Sequence, residues 1–356
     1  MLTHFKEKYI GSASFYKRYL CLALPMILQN AITNLVSFLD NIMVGQLGTE
    51  PMSGVAIVNQ LIFVYNLAIF GAVSAASIFG AQYFGKGNHK GHMHSFRFKL
   101  YASLTMTAAT ILLFITKGST LISLYLTDTT GSGATETALQ YGLEYLAIMM
   151  IGLIPFAINQ SYATNIKETG QTMIPMIASF AAVGINAVLD YLLIFGLGPI
   201  PKMGVVGAAL ATVIARYIEA LIVIVWAHTN RAKNRYLEGA YRGFGIPKAE
   251  FKAILIKGLP LMLNEVFWAA GMTTVTQCYS VRGLEVIAGL NIATTITNLF
   301  NIIYIQLGGC ISIVVGQYLG AGKLKEAKDA DNKMIVFSVF SCAIVAGIML
   351  IFGGLF

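Results

Sequence analysis

Long, nearly uncharged apolar runs alternate with short polar segments along the whole chain. The runs cover roughly 18–46, 54–84, 98–117, 138–163, 172–197, 204–228, 252–281, 286–319 and 333–355. Each, wound as a helix, is long enough to cross a hydrocarbon layer roughly 30 Å thick. A single segment crossing lipid must satisfy its backbone internally, and a helix does so. The pattern therefore predicts an all-α, polytopic membrane protein with one helix for each run. Composition agrees: of 356 residues 56% are hydrophobic and only 11% charged, where a soluble domain carries about a quarter charged residues. The lipid bilayer is the expected surrounding.

A net charge of +8 raises the question of nucleic acid, but the charge sits in alternate loops. Lysines and arginines crowd the segments around 6–18, 86–99, 231–257 and 323–333, with Lys167 on the same side. The opposite loops hold Lys117, Lys202 and Arg282, and Arg216 falls within a span. The positive-inside rule then predicts a multi-pass plasma-membrane protein with a cytoplasmic N-terminus, and no nucleic-acid partner is inferred. The opening MLTHFKEKYIGSASFYKRYL has no short apolar region with a cleavage site, so the first span is expected to be a retained signal anchor.

Nothing here suggests enzymatic chemistry. Cys21, Cys278, Cys310 and Cys342 lie singly in apolar runs and suit packing. His4, His89, His92, His94 and His228 fall in the basic loops or at a span end, and GNHKGHMH reads as a solvated basic loop rather than a metal site. There is no HExxH, GxSxG or P-loop. No cofactor is expected. A channel is disfavoured because no filter-like loop or ring of repeated charges occurs.

At one constant offset the chain matches itself: ALPMILQN (23–30) meets GLPLMLNE (258–265), and GAQYFGKGNHK meets VGQYLGAGKLK. Pro25 pairs with Pro260, Gly48 with Gly283, Glu50 with Glu285, Asn66 with Asn301 and Gln82-Tyr83 with Gln317-Tyr318. An even number of spans separates the copies, so both enter the membrane in the same direction. Parallel repeats of this kind build transporters whose halves rock about a central site. The expected division is a first six-helix lobe over 1–230, a cytoplasmic connection over 231–251, and the first three helices of a second lobe over 252–356. Counterparts of spans four to six are absent from the second copy, so a piece or truncated form of a twelve-helix protein is expected, monomeric if complete.

Ionisable side chains inside spans are costly and mark sites by default. Asp40, in SFLDNIMVGQLG, lies near the outer end of the first span; Asp190, in NAVLDYLLIFGLG, lies comparably near the outer end of the fifth, with Asn186 one turn away on the same face. Thr212 lies about 12 Å into the sixth span from outside. Two carboxyls at one depth in a low dielectric do not both ionise freely and titrate as a unit. Such a group can take up H⁺ or Na⁺, with Asn186 and Thr212 supplying neutral oxygens. The plainer alternative has Asp40 bonding a neighbouring helix and Asp190 reaching the outer interface. Glu265, in mid-span, suits a second cation site, a counter-charge for a cationic substrate, or a structural hydrogen bond. Arg216 and Glu219, three apart on one helix, are expected to pair with each other.

Taken together, LPMILQN, SFLDNIMVGQLG, GAQYFGKGN, IKETGQTMIPM, NAVLDYLLIFG, GAALATVIAR and GLPLMLNEVFW resemble the multidrug and toxic compound extrusion (MATE) family of cation-coupled antiporters. The resemblance implies a two-lobed exporter of small organic cations in exchange for H⁺ or Na⁺. It implies coupling-ion roles for Asp40, Asn186 and Asp190, a contribution from Thr212, and a cation role for Glu265. Rival readings are a lipid-linked precursor flippase, which would call for more intramembrane Lys and Arg, and a non-transporting scaffold.

Overall fold

The computed structural model describes residues 8–126, 132–196, 201–243, 245–280 and 284–352. The Glu265 side chain lies outside the described residues, as do those of several neighbours on its helix. Among the described residues run nine long α-helices: α1 (Ala13–Gly45), α2 (Thr49–Gly85), α3 (His89–Ser123), α4 (Ser132–Glu168), α5 (Met173–Phe195), α6 (Val205–Thr229), α7 (Lys248–Ser280), α8 (Leu284–Gly320) and α9 (Leu324–Phe352). Eight helices of the described residues are long and apolar enough to cross a membrane, and α7 occupies the remaining expected span. The chain is a multi-pass membrane protein.

The helices outrun the apolar stretches. With 37 residues, α2 is about 55 Å long at 1.5 Å per residue, so polar turns continue beyond the hydrocarbon layer. Pro25, Pro155 and Pro260 all lie within continuous helices. Both repeats end their second helix alike. Gly87 and Gly322 take φ of +72° and +73°, and the following amide closes back onto Tyr83 O at 2.9 Å in one copy and Tyr318 O at 3.0 Å in the other. This left-handed termination satisfies otherwise orphaned carbonyls and suits glycine.

Lipid as solvent inverts the usual arrangement. Large apolar side chains such as Ile115, Leu221 and Phe267 face outward, while small residues line the helix contacts, where van der Waals packing drives association. The largest core joins α2, α4 and α6 through Val58, Ile69, Leu153 and Val213. There Gly54 lies so close to α4 that a Cβ would come within 2.5 Å of Ala138 O. A separate core joins α1, α8 and α9 through Tyr19, Met26, Leu307 and Met334.

At the basic end α2 and α8 cross with the symmetry of the repeat. A Cβ on Gly85 would run into Gln317 O, and one on Gly320 into Gln82 O; each contact is the other displaced by the repeat offset. Gly316 faces Ala81 at the centre, where a Cβ would lie 2.9 Å away. α7 also packs on α2 and α3: Ile254 is buried beside Ala76 and Phe98, and His94 Nδ1 lies 2.7 Å from Glu250 Oε2.

The segment GNHKGHMH, expected as a solvated loop, is mostly the first turns of α3. Asn88 caps that helix by accepting from Gly91 N at 3.0 Å. His92 is 1% exposed and Lys99 not exposed at all. What covers them is distant in sequence: Glu168 of α4, and the connection between α6 and α7. That connection carries a short 3₁₀ turn (Arg235–Leu237) with Tyr236 and Leu237 buried. Arg97 holds it by donating to Ala240 O (2.8 Å), Gly245 O (2.8 Å), Gly239 O (2.7 Å) and Arg242 O (3.1 Å).

Candidate functional site

On α5, Ser179, Asn186 and Asp190 fall on one buried stripe, and α1 packs against it. This brings the Asp40 carboxyl within hydrogen-bonding reach of Asp190, with Asn186 beside them. Asp190 is 0% and Asn186 5% exposed; Asp40 is half-buried. None of the ion pairs among the described residues involves either aspartate.

The site has unused polar atoms. Asp40 Oδ1, both Asp190 oxygens and Asn186 Nδ2 are buried without a hydrogen-bond partner. As carboxylates, two aspartates can only accept, so neither satisfies the other. One shared proton converts the contact into a hydrogen bond, and a small cation between the oxygens removes the repulsion. An unpaired buried polar group costs several kcal/mol in lipid surroundings, so the arrangement favours occupancy by H⁺ or a hard cation with oxygen ligands. Thr212 is half-buried on α6 and forms no hydrogen bond to either carboxyl.

Sequence reading passed over Tyr145 near the pair, and a separate polar contact about 16 Å farther along the same two helices. Tyr145 of α4 is within the electrostatic reach of Asp40, Asp190 and Arg216, and donates to Asn59 Oδ1 at 3.3 Å. Gln29 of α1 donates to Ser179 Oγ at 2.8 Å, and its own Oε1 is buried without a donor. Their signal was the spacing of amides and hydroxyls on one helix face, as with Ser179, Asn186 and Asp190.

Arg216 and Glu219 do not pair, contrary to their spacing. Arg216 lies over the Phe156 ring, 5.3 Å from its centroid, and reaches Gly152 O at 3.4 Å, while Glu219 hydrogen-bonds Ser179. Packing against α4 and α5 turns the two side chains toward different helices. Glu265, on α7, lies outside the described side chains.

Comparison with known proteins agrees with this architecture. The sequence pattern of the MatE family matches residues 25–192 and 260–356, two segments that begin at the equivalent prolines of the internal repeat. The chain is 27% identical over 311 residues to "Probable multidrug resistance protein NorM" of Thermotoga maritima, covering 86% of this chain and 64% of that protein. It is 28% identical over 335 residues to the protein of the same name from Oceanobacillus iheyensis, covering 94% and 73%. The chain thus spans less than two thirds of the Thermotoga relative's length. Its fold matches, with a TM-score of 0.82 at 22% identity over 95% of this chain and 72% of the other, a structure described as the outward-facing conformation of a multidrug resistance MATE family transporter of the MOP superfamily.

Proposed function

The chain belongs to the MatE family, and from that premise we propose that it works in cation-coupled export of small organic cations across the plasma membrane. The observation that carries this reading is the carboxyl pair Asp40 and Asp190, which has no cationic partner among the described residues and four buried polar atoms unpaired in or beside it. In this reading α1–α6 form one lobe over 1–230, the connection 231–251 is cytoplasmic, and 252–356 belong to a second lobe. The basic end faces the cytoplasm, as the distribution of Lys and Arg favours.

Asp40, Asn186 and Asp190 take up H⁺ or Na⁺, and Thr212 adds a hydroxyl ligand if its side chain turns inward. Occupancy cancels the repulsion between the carboxyls and lets α1 settle on α5; release restores the charge and pushes them apart. Coupling requires that ion and substrate favour different states. A substrate preferring the charged, separated arrangement is therefore displaced when the ion binds. Glu265 is a further candidate for cation contact from α7. A lipid-linked anion is less suited to this interior, where Arg216 is the one arginine inside an expected span, Arg18 standing at the very end of the first.

Fluorescent dye-cation efflux from energised vesicles tests the assignment. Asp40→Asn and Asp190→Asn, at matched abundance, lose ion-driven efflux. Wild-type efflux in both variants removes these residues from the coupling site.

A further inference from the structure

The first six helices hold a second polar system at the basic end, to which ion coupling at the aspartates assigns no task. Its centre is Glu168, the last residue of α4. One carboxylate oxygen is ion-paired with Lys99 of α3, and the other lies 3.2 Å from His92 Nε2. Lys99 Nζ also donates to Asn165 Oδ1 at 2.7 Å. Lys99, Asn165 and Glu168 are 0% exposed and His92 1%.

Each packed element contributes to this enclosure. From α2, Gly80 leaves room that a Cβ would take from the Glu168 carboxylate. From α8, Gln317 Nε2 donates to Glu168 O at 2.7 Å. From the connecting segment, Tyr236 closes the remaining side, its ring 4.9 Å from that of His92. Burial, followed by the Glu168 charge, holds the Tyr236 hydroxyl well above its ordinary range, so it stays neutral. His89, exposed and one turn before His92, is the remaining titratable group acting on that histidine.

Buried hydroxyls continue along the same helix faces, Thr107 donating to Ser103 O at 2.7 Å and Ser161 to Ala157 O at 3.0 Å. Ser95, Lys99, Ser103 and Thr107 recur every fourth residue on α3 and are all buried, so they share one face. α4 answers with Glu168, Asn165 and Ser161. Ser161 Oγ lies 3.4 Å from Ser103 Oγ. Farther along, Tyr65 of α2 bridges Thr107 Oγ1 at 2.8 Å and Leu153 O at 3.0 Å.

Stability alone does not account for such a cluster. A buried ion pair seldom outperforms apolar side chains of equal volume, and lipid-facing helices have apolar choices at every position. The system also carries more polar atoms than it pairs: Asn165 Nδ2 and the Tyr236 hydroxyl are buried without a hydrogen-bond partner of good geometry.

We propose that Lys99, Glu168 and His92 form a second proton-binding site, exchanging protons with the solution at the basic end through His92. This rests on the ion-coupled reading above. A proton entering from the solution ends on the His92 imidazole or the Glu168 carboxylate, and returns to the solution by the same route. Lys99 remains the fixed counter-charge. Separation of α2 from α8 would remove Gln317 from the Glu168 main chain and open the cluster to solution, tying proton release to that crossing.

The test uses the full chain in liposomes, with a trapped pH indicator and ethidium as the probe cation, while pH is varied on the basic-end side. His92→Gln keeps a donor to Glu168 without a titrating ring. Lys99→Met/Glu168→Met removes both charges together and serves if the first variant folds poorly. The expected result is at least a tenfold fall in coupled proton flux and loss of its dependence on basic-end pH, with melting temperature held. Wild-type pH profiles in both variants, or losses that merely follow melting temperature, would overturn the second proton site and leave the antiport reading standing. Sodium-driven ethidium flux without proton movement in the wild type would do the same. Wild-type liposomes showing no ion-coupled flux at all would overturn the coupling reading and the second proton site with it.

Discussion

Replacing Gly320 by alanine perturbs the closest approach between the two repeats. The added methyl collides with Gln82 O, a backbone atom at the α2–α8 crossing, so no rotamer change relieves it and the helices must shift. Overpacking of this kind costs about 1–3 kcal/mol. If the crossing opens in a second conformation, that cost falls on the closed one alone and shifts the equilibrium about 5- to 150-fold toward the open one. Gly85→Ala, which drives a methyl into Gln317 O, does the same by symmetry. Because both act on one crossing, the double variant is not additive. Spin labels at Lys86→Cys and Lys323→Cys, both exposed at the helix ends, report the separation after Cys21, Cys278, Cys310 and Cys342 are replaced. The variants should show a longer-distance population and a lower melting temperature. A wild-type distance distribution with unchanged stability would refute the contact-based reasoning.

Gly184→Ala supplies a contrast: nothing lies within 4 Å of its new Cβ, so the gain in helix propensity, about 0.5–1 kcal/mol, should appear as a higher melting temperature. Arg97→Met removes a charged donor from four carbonyls and should cost about 3 kcal/mol, with hydrogen exchange rising over 239–245 before it rises in the helices. Tyr65→Phe leaves Thr107 and Leu153 O without their buried partner and should cost about 1–3 kcal/mol by thermal unfolding in detergent. Asp190→Asn should act in the opposite sense on stability. It relieves like-charge repulsion on the order of 1 kcal/mol, so the variant melts higher while losing coupled efflux, an exchange of activity for stability.

Much of the fold was legible because lipid imposes a simple grammar. Long apolar runs became helices, and the shared Gln-Tyr and turn-glycine positions marked the equivalent ends of α2 and α8, though not the crossing between them. Asp40 and Asp190 could be placed at one depth by counting from helix ends, and they lie side by side. Distance along the chain hid the rest. Lys99 sits 69 residues from Glu168, and Arg97 between 142 and 148 residues from the carbonyls it binds. A basic residue near a span end reads locally as solvated; only tertiary packing reveals the segment folded over it. Spacing likewise misled at Arg216 and Glu219, where contacts with α4 and α5 outweighed a weak i,i+3 attraction.

The central claim is that the aspartate pair holds a coupling ion which a cationic substrate expels. Ethidium added to weakly buffered, purified protein, with simultaneous pH and sodium recording, tests this most directly. The account predicts release of H⁺ or Na⁺ on ethidium binding, abolished in Asp40→Asn/Asp190→Asn. Ethidium binding without ion release, or equal release from the double variant, would contradict it.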